Sequence, residues 1–338
     1  MVKHGRRCLS LAPVLGLSML AGLWYSGAIQ AQSQEPRVTI EPRAPQPEPG
    51  KGSADRLRTN IRVDSDLVLI PVLVTDRNDR SVTGLGRGHF RLWEDKVEQT
   101  ITHFAAEDTP VSVVLAFDIS GSMGNKLRLS RAAVDQFLRT ANPEDEFALV
   151  TFSDQTHLAQ SFTPRAEDIQ SRMLFLQSKG STALLDAVVL SLNQMRHARH
   201  TRKAILIISD GGDNSSRYSV REVKERVREA DVQIYAIGIE EPMALRYRSI
   251  EEFSGAALLS DLSRQSGGRL FEIEDINELP GVAGRIGMAL RNQYVLGYVP
   301  AEPRRDGKYH KVQVKVERPV GVPPLRASFR AGYVAPGN

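Results

Sequence analysis

Asp118-Ile119-Ser120-Gly121-Ser122 closes an apolar run, residues 111–117 (VSVVLAF), and stands just before residues 126–141, where Leu127, Val134, Phe137 and Leu138 recur at helical spacing. An unbroken apolar run bounded by polar turn residues predicts a buried strand, and the pattern after it predicts an amphipathic helix. One carboxylate and two hydroxyls therefore fall at the carboxyl end of a strand, where open α/β sheets hold their ligands. Gly180-Ser181-Thr182 follows, and Ser209-Asp210-Gly211-Gly212 closes another apolar run, residues 204–208. Small hard oxygen donors from three loops suit Mg²⁺, which prefers oxygen ligands and keeps some of its waters.

The alternation around these segments predicts the fold. Strands are expected at 111–117, 146–152, 204–209, 232–238 and 269–273, with helices at 126–141, 166–178, 183–197, 219–230, 257–266 and 278–293. Strands alternating with helices imply a doubly wound, mostly parallel sheet covered on both faces. The flanks read differently. Residues 67–75 are a β-branched run containing Pro71, which argues for an edge or a bulge. Asp76-Arg77-Asn78-Asp79 reads as a turn, residues 90–93 alternate, and residues 97–104 read as one short strand. After 294–299, Val312, Val314 and Val316 alternate with Lys311, Gln313 and Lys315, and Leu325, Ala327 and Phe329 repeat the pattern in what reads as a two-hairpin tail. Neither flank is large enough to fold alone. The expectation is one small β-sandwich built from N- and C-terminal segments, with the α/β domain inserted between them.

Residues 1–31 have the layout of a secretory signal: Lys3, Arg6 and Arg7, then the apolar stretch 9–23, then Ser26-Gly27-Ala28 and Ala31. An uncleaved membrane anchor is the alternative, because no charge interrupts residues 8–31 and about 20 apolar residues span a bilayer. Either way the body is exported, to the periplasm, the cell surface or the medium. Cys8 is the only cysteine and precedes the apolar core, so no disulfide is expected in the exported part. Residues 32–56 form a linker punctuated by Pro36, Pro42, Pro45, Pro47 and Pro49. The expected map continues with an N-terminal β-segment at 57–108, the α/β domain at 109–297 and a C-terminal β-segment at 298–338. The formal charge of +4 shrinks to 41 bases against 40 acids once Lys3, Arg6 and Arg7 are set aside, which is no nucleic-acid footprint.

No catalytic constellation stands out. Nothing matches the Gly-x-Ser-x-Gly of a hydrolase, and Lys179-Gly180-Ser181-Thr182 has Lys and Gly in the wrong order for a phosphate loop. Gly84, Gly86 and Gly88 are spaced one residue too closely for a dinucleotide loop, and no helix pattern follows them. His197 and His200 lie in a basic link before a strand and read as a solvated loop. The chain is therefore expected not to be an enzyme.

The order Asp-x-Ser-x-Ser, then Thr, then Asp resembles the metal-ion-dependent adhesion site of von Willebrand factor type A domains, over residues 109–299. The flanks are similar to those of exported bacterial proteins of an acidobacterial type that carry this domain. The resemblance implies Ser120, Ser122 and Thr182 as direct ligands of Mg²⁺ (or Mn²⁺ or Ca²⁺), with Asp118 and Asp210 acting through water. Such a cation has few anionic ligands of its own and gains from an Asp or Glu carboxylate on a partner protein. The implied function is an exported, non-enzymatic binding or adhesion module. The alternative is a structural component of an envelope assembly in which the metal only stabilises the domain. Asp186 and Asp213, close to the site residues in sequence, read as hydrogen-bonding support. The partner and the oligomeric state are not legible.

Overall fold

Strand β5 (Val111–Asp118) is buried along its whole length because it has a parallel neighbour on each side, β6 (Glu146–Phe152) and β8 (Arg202–Ser209). The computed structural model describes residues 67–106, 108–210, 212–239, 250–300 and 305–337. The expected export segment, the proline-rich linker and the first ten residues of the N-terminal β-segment lie outside the described residues.

The central sheet has the order β10-β9-β8-β5-β6-β7, with β7 (Thr156–Thr163), β9 (Gln233–Ile239) and β10 (Leu270–Ile273) completing it. Only β7 is antiparallel to its neighbour. Successive side chains of a strand point to opposite faces, and β5 shows both. Val113, Leu115 and Phe117 pack with α1 (Leu127–Leu138), α2 (Ala166–Met173) and α6 (Leu279–Arg291). Val114 and Ala116 pack with α3 (Leu184–Gln194), α4 (Val220–Glu229) and α5 (Ile250–Ser266). Burial on both faces is what makes these strands legible as continuous apolar runs.

A second body is built from both ends of the described chain. One of its sheets has the order β13-β1-β11-β4, the other β14-β12-β2-β3. Here β1 is Val68–Thr75, β2 Phe90–Glu94, β3 Val97–Gln99 and β4 His103–Ala105. The later strands are β11 (Gln293–Tyr298), β12 (Tyr309–Val316), β13 (Arg326–Phe329) and β14 (Gly332–Val334). The sheets share one apolar core of Ile70, Val72, Val74, Phe90, Leu92, Tyr294, Leu296, Val312 and Val314, among others. The inserted α/β domain and the sandwich made from its flanks are as the sequence implies. Strand β13 pairs β1 only at Val72–Thr75, so Pro71 sits where that flank of β1 has no ladder partner.

Several local expectations are corrected. Residues 97–104 are not one strand: β3 joins one sheet and β4 the other, with the chain crossing the sandwich edge at buried Ile101. The tail does not fold as two hairpins, since β12 pairs β2 while β13 pairs β1. Strand β7 escapes the sequence because it is an edge strand, half exposed, and has no apolar run. Helix α2 ends at Met173 rather than at 178, and the chain then turns so that the Lys179 N–H bonds to the Ile119 carbonyl at 2.8 Å. Helix α5 begins at Ile250, seven residues before its expected start.

Polar contacts, part-buried or buried, tie the two bodies together. The Arg202 guanidinium donates to the carbonyl of Thr109, on the link between β4 and β5, and to that of Leu290, in the last turn of α6 before β11. Gln293 donates to Gln233 and to the Tyr235 hydroxyl, both at 2.9 Å, and Arg269 pairs with Asp79 at 2.6 Å. A Cβ at Gly268 would collide with the Ile234 carbonyl, so only glycine lets that turn lie against β9.

The pairing has a direct consequence. A chain ending at Pro300 lacks β12, β13 and β14, leaving β1 without its β13 neighbour and β2 without β12. Amide hydrogen exchange at Val72–Thr75 should accelerate in that chain while exchange in β5 stays slow. Unchanged protection of β1 would show that the flanks stabilise each other little.

Candidate functional site

The order of the central sheet reverses at β5: the chain passes first to β6 on one side and later to β8 and β9 on the other. Open α/β sheets leave a crevice at such a point, outside the carboxyl ends of the strands. Asp118 ends β5 and Ser209 ends β8, so both border that crevice.

Asp118 is fully buried. Its Oδ1 accepts the Ser120 N–H at 2.8 Å and its Oδ2 accepts the Ser209 hydroxyl at 2.6 Å. Burial pushes its carboxyl up to about 6, and the nearby Asp210 charge pushes the same way, against the hydrogen bonds from Ser209 and Ser120. Ser120 is buried and Ser122 exposed, with their hydroxyl oxygens 3.0 Å apart. A short 3₁₀ turn, Gly121–Met123, sets that spacing, and Gly121 lies close against the Gly180 carbonyl, to which its N–H bonds at 2.9 Å.

The second loop is held from two directions. Gly180 takes a left-handed φ of +80° and any Cβ there would collide with the Asp154 carboxylate, which also accepts the Ser181 N–H. Thr182 is buried, its N–H bonding to the Asn214 side chain at 2.9 Å and its carbonyl accepting the Asn214 and Ser215 N–H groups. Backbone bonds thus link the loop of Ser120 to that of Thr182, and the latter to the loop after β8. Asp118, Ser120 and Ser122 meet through direct hydrogen bonds. Asp210 meets them through its charge, and Thr182 through the backbone around it.

Asp186 accepts the N–H groups of Arg217 and Tyr218 at 2.9 and 3.2 Å, and Asp213 accepts that of Leu185 at 3.2 Å. These carboxylates brace the loops. The ring of His200 contacts the Glu144 carbonyl and His197 is exposed, so this pair builds no site.

Lys126 is the residue that sequence reasoning missed. It precedes α1, is buried, and its ammonium pairs with the Asp210 carboxylate at 2.9 Å. Nothing in its local spacing aims Lys126 at a residue 84 positions away. Ser209, Asp154 and Asn214 escaped for the same reason: each acts through a partner on another loop.

The donor set fits a small hard cation. Octahedral Mg²⁺ with oxygens at about 2.1 Å has neighbouring ligands about 3.0 Å apart, the separation of the two serine hydroxyls. Ser120 and Ser122 would be the hydroxyl ligands, and the Asp118–Asp210 pair would supply the negative field that makes a cation welcome.

Residues 113–212 match the profile of the von Willebrand factor type A domain. An uncharacterized protein of Borreliella burgdorferi is 22% identical over 184 residues, which cover 48% of this chain and 54% of that protein. Inter-alpha-trypsin inhibitor heavy chain H4 of Homo sapiens is 28% identical over 146 residues, covering 38% of this chain and 16% of that one. The chain thus spans about half the length of the first relative and a small part of the second. Among solved structures, the BatB protein of Bacteroides thetaiotaomicron aligns at 15% identity and a TM-score of 0.42, over 53% of this chain and 98% of its own. The matched domain type is a non-catalytic family with structural and adhesive roles.

Removing the Lys126 ammonium should reveal the charge it balances. In chelator, Lys126→Met should lower stability in denaturant unfolding by about 3 kcal/mol, the usual cost of leaving one partner of a buried pair alone. Mg²⁺ should then stabilise the variant more than the wild type. A variant as stable as wild type in chelator would mean that Asp210 needs no cation.

Proposed function

Because the chain carries a von Willebrand factor type A domain, we propose that it is a non-enzymatic structural part of an assembly in or outside the cell envelope, with a divalent cation at the three-loop site stabilising the domain. The observation that carries this reading is the Lys126–Asp210 ion pair together with the hydrogen-bonded Asp118. The loops already close on one another, so a bound ion would add rigidity to an arrangement that is nearly complete. Mg²⁺ is the first choice, with Mn²⁺ and Ca²⁺ as alternatives for the same oxygen donors.

A second reading rests on the exposed Ser122 hydroxyl at the mouth of the site. A cation held by Ser120, Ser122 and Thr182, with Asp118 and Asp210 acting through water, would keep most of its electrophilicity. It would then bind an Asp or Glu carboxylate from a partner protein, desolvating both charges. The export segment expected at residues 1–31 sets either role in the periplasm, at the surface or outside the cell. The domain map, with the α/β domain at 109–297 between β-segments at 57–108 and 298–338, belongs to the same proposal.

Isothermal titration with Mg²⁺ or Mn²⁺ should show one site that Asp118→Ala removes; equal binding by the two proteins would sink both readings. Capture of a partner from envelope extract then separates them. Under the structural reading, chelator lowers the melting temperature and leaves capture intact. Capture abolished by chelator and by Thr182→Ala, with melting within a few degrees of wild type as expected for one lost hydroxyl, would favour carboxylate docking instead.

A further inference from the structure

The sandwich contains a second set of cation ligands, of different chemistry from the three-loop site. Glu94 and Asp95 end β2 and begin its turn, and His310 lies on neighbouring β12, two residues before Val312, the partner of Glu94 in the ladder. One ligand atom from each lies within 4.8 Å of the others. His310 and Glu94 are both almost fully buried. The His310 Nδ1 stands 2.8 Å from Asp95 Oδ2 and 3.7 Å from Glu94 Oε1. Around a tetrahedral Zn²⁺, ligand atoms at about 2.0–2.2 Å lie roughly 3.3 Å apart, so the two separations bracket what an ion would impose.

Two features beyond the trio bear on a ligand. The other ring nitrogen, Nε2, is 3.2 Å from Asp306 Oδ1. Metal-bound histidines commonly donate their second N–H to a carboxylate, which fixes the tautomer and turns the free nitrogen to the ion. On the other side of Glu94, the Tyr298 side chain is wholly buried. Its hydroxyl faces Glu94 and Tyr333 and interacts with both. Tyr333 already donates to Glu94 Oε1 at 3.0 Å. Buried carboxylates are paired or hold metals, and Glu94 is buried beside the histidine.

We infer that Glu94, Asp95 and His310 form a second metal site, taking a Zn²⁺-like transition ion through His310 Nδ1 and one oxygen from each carboxylate. Asp306 holds His310 from behind, and Asp95 Oδ1 is anchored by the Lys311 N–H at 3.0 Å. Binding displaces the proton from Nδ1 to solvent and leaves Nε2–H on Asp306, so metal uptake releases a proton when the ring starts out charged. An imidazole nitrogen selects Zn²⁺, Co²⁺ or Ni²⁺ over Mg²⁺ and Ca²⁺. The site would clamp the β2–β3 turn to β12, joining the N-terminal and C-terminal halves of the sandwich. It stands on residues separate from the three-loop site, and neither proposal depends on the other.

Co²⁺ serves as the probe, because nitrogen-ligated tetrahedral Co²⁺ absorbs in the visible. The full chain should bind one Co²⁺ with such a band, displaced by Zn²⁺ and unaffected by a large excess of Mg²⁺. His310→Gln should abolish the band, while Asp118→Ala should retain it. Asp95→Asn is the safeguard against misfolding. Asp95 has a φ of +47°, a conformation that asparagine tolerates well, and the amide oxygen can still accept the Lys311 N–H. That variant should melt near wild type in chelator yet bind Co²⁺ at least tenfold more weakly. Absence of a band in the wild type, a band that survives His310→Gln, or unchanged affinity in Asp95→Asn would each overturn the proposal.

Discussion

A carboxylate that is wholly buried at the end of β5 sets the terms for everything around it. Asp118 loses its water on folding, and a nearby second carboxylate, Asp210, adds to the cost of its charge. The chain answers with short-range donors: the Ser120 N–H on one oxygen, the Ser209 hydroxyl on the other, and the Lys126 ammonium on Asp210. Each donor comes from a loop that starts at or near the end of a strand, so satisfying one acid draws two strand ends together at the switch point of the sheet. The second loop then follows, because the Ile119 and Gly180 carbonyls accept N–H groups across the gap. The oxygen donors so gathered are those on which the proposed cation site rests.

The sandwich solves a different problem. A parallel sheet covered by helices needs no further layer, yet β1 and β11, more than 200 residues apart in the chain, pair over six positions. Their pairing makes both links into the α/β domain short, and Arg202 bonds to the Thr109 carbonyl on one link and to the Leu290 carbonyl at the end of α6, next to the other. The α/β domain is therefore attached at two points, not hung from one linker. Gln293, which bonds β11 to Gln233 and Tyr235 of β9, adds a second buried polar tie at the same end of the sheet.

The sequence by itself determined the α/β order of the central domain and the neighbourhood of the three oxygen-bearing loops. Strands such as 111–117 and 204–208 are buried on both faces, so burial writes itself into composition residue by residue. The alternation of Val312, Val314 and Val316 against Lys311, Gln313 and Lys315 was legible for the matching reason, one face in the core and one in water. Only the tertiary structure decided the rest. Strand β7 has half-exposed residues and no run to read, and residues 97–104 divide between two sheets because the chain crosses an edge that exists only once β11 and β12 are in place. Lys126 finds Asp210, and His310 finds Glu94 and Asp95, across 84 and more than 200 residues. Periodicity reports which face of an element meets the core, but the charge opposite a given side chain is set by the register between elements, and register follows from packing that no local window of sequence contains.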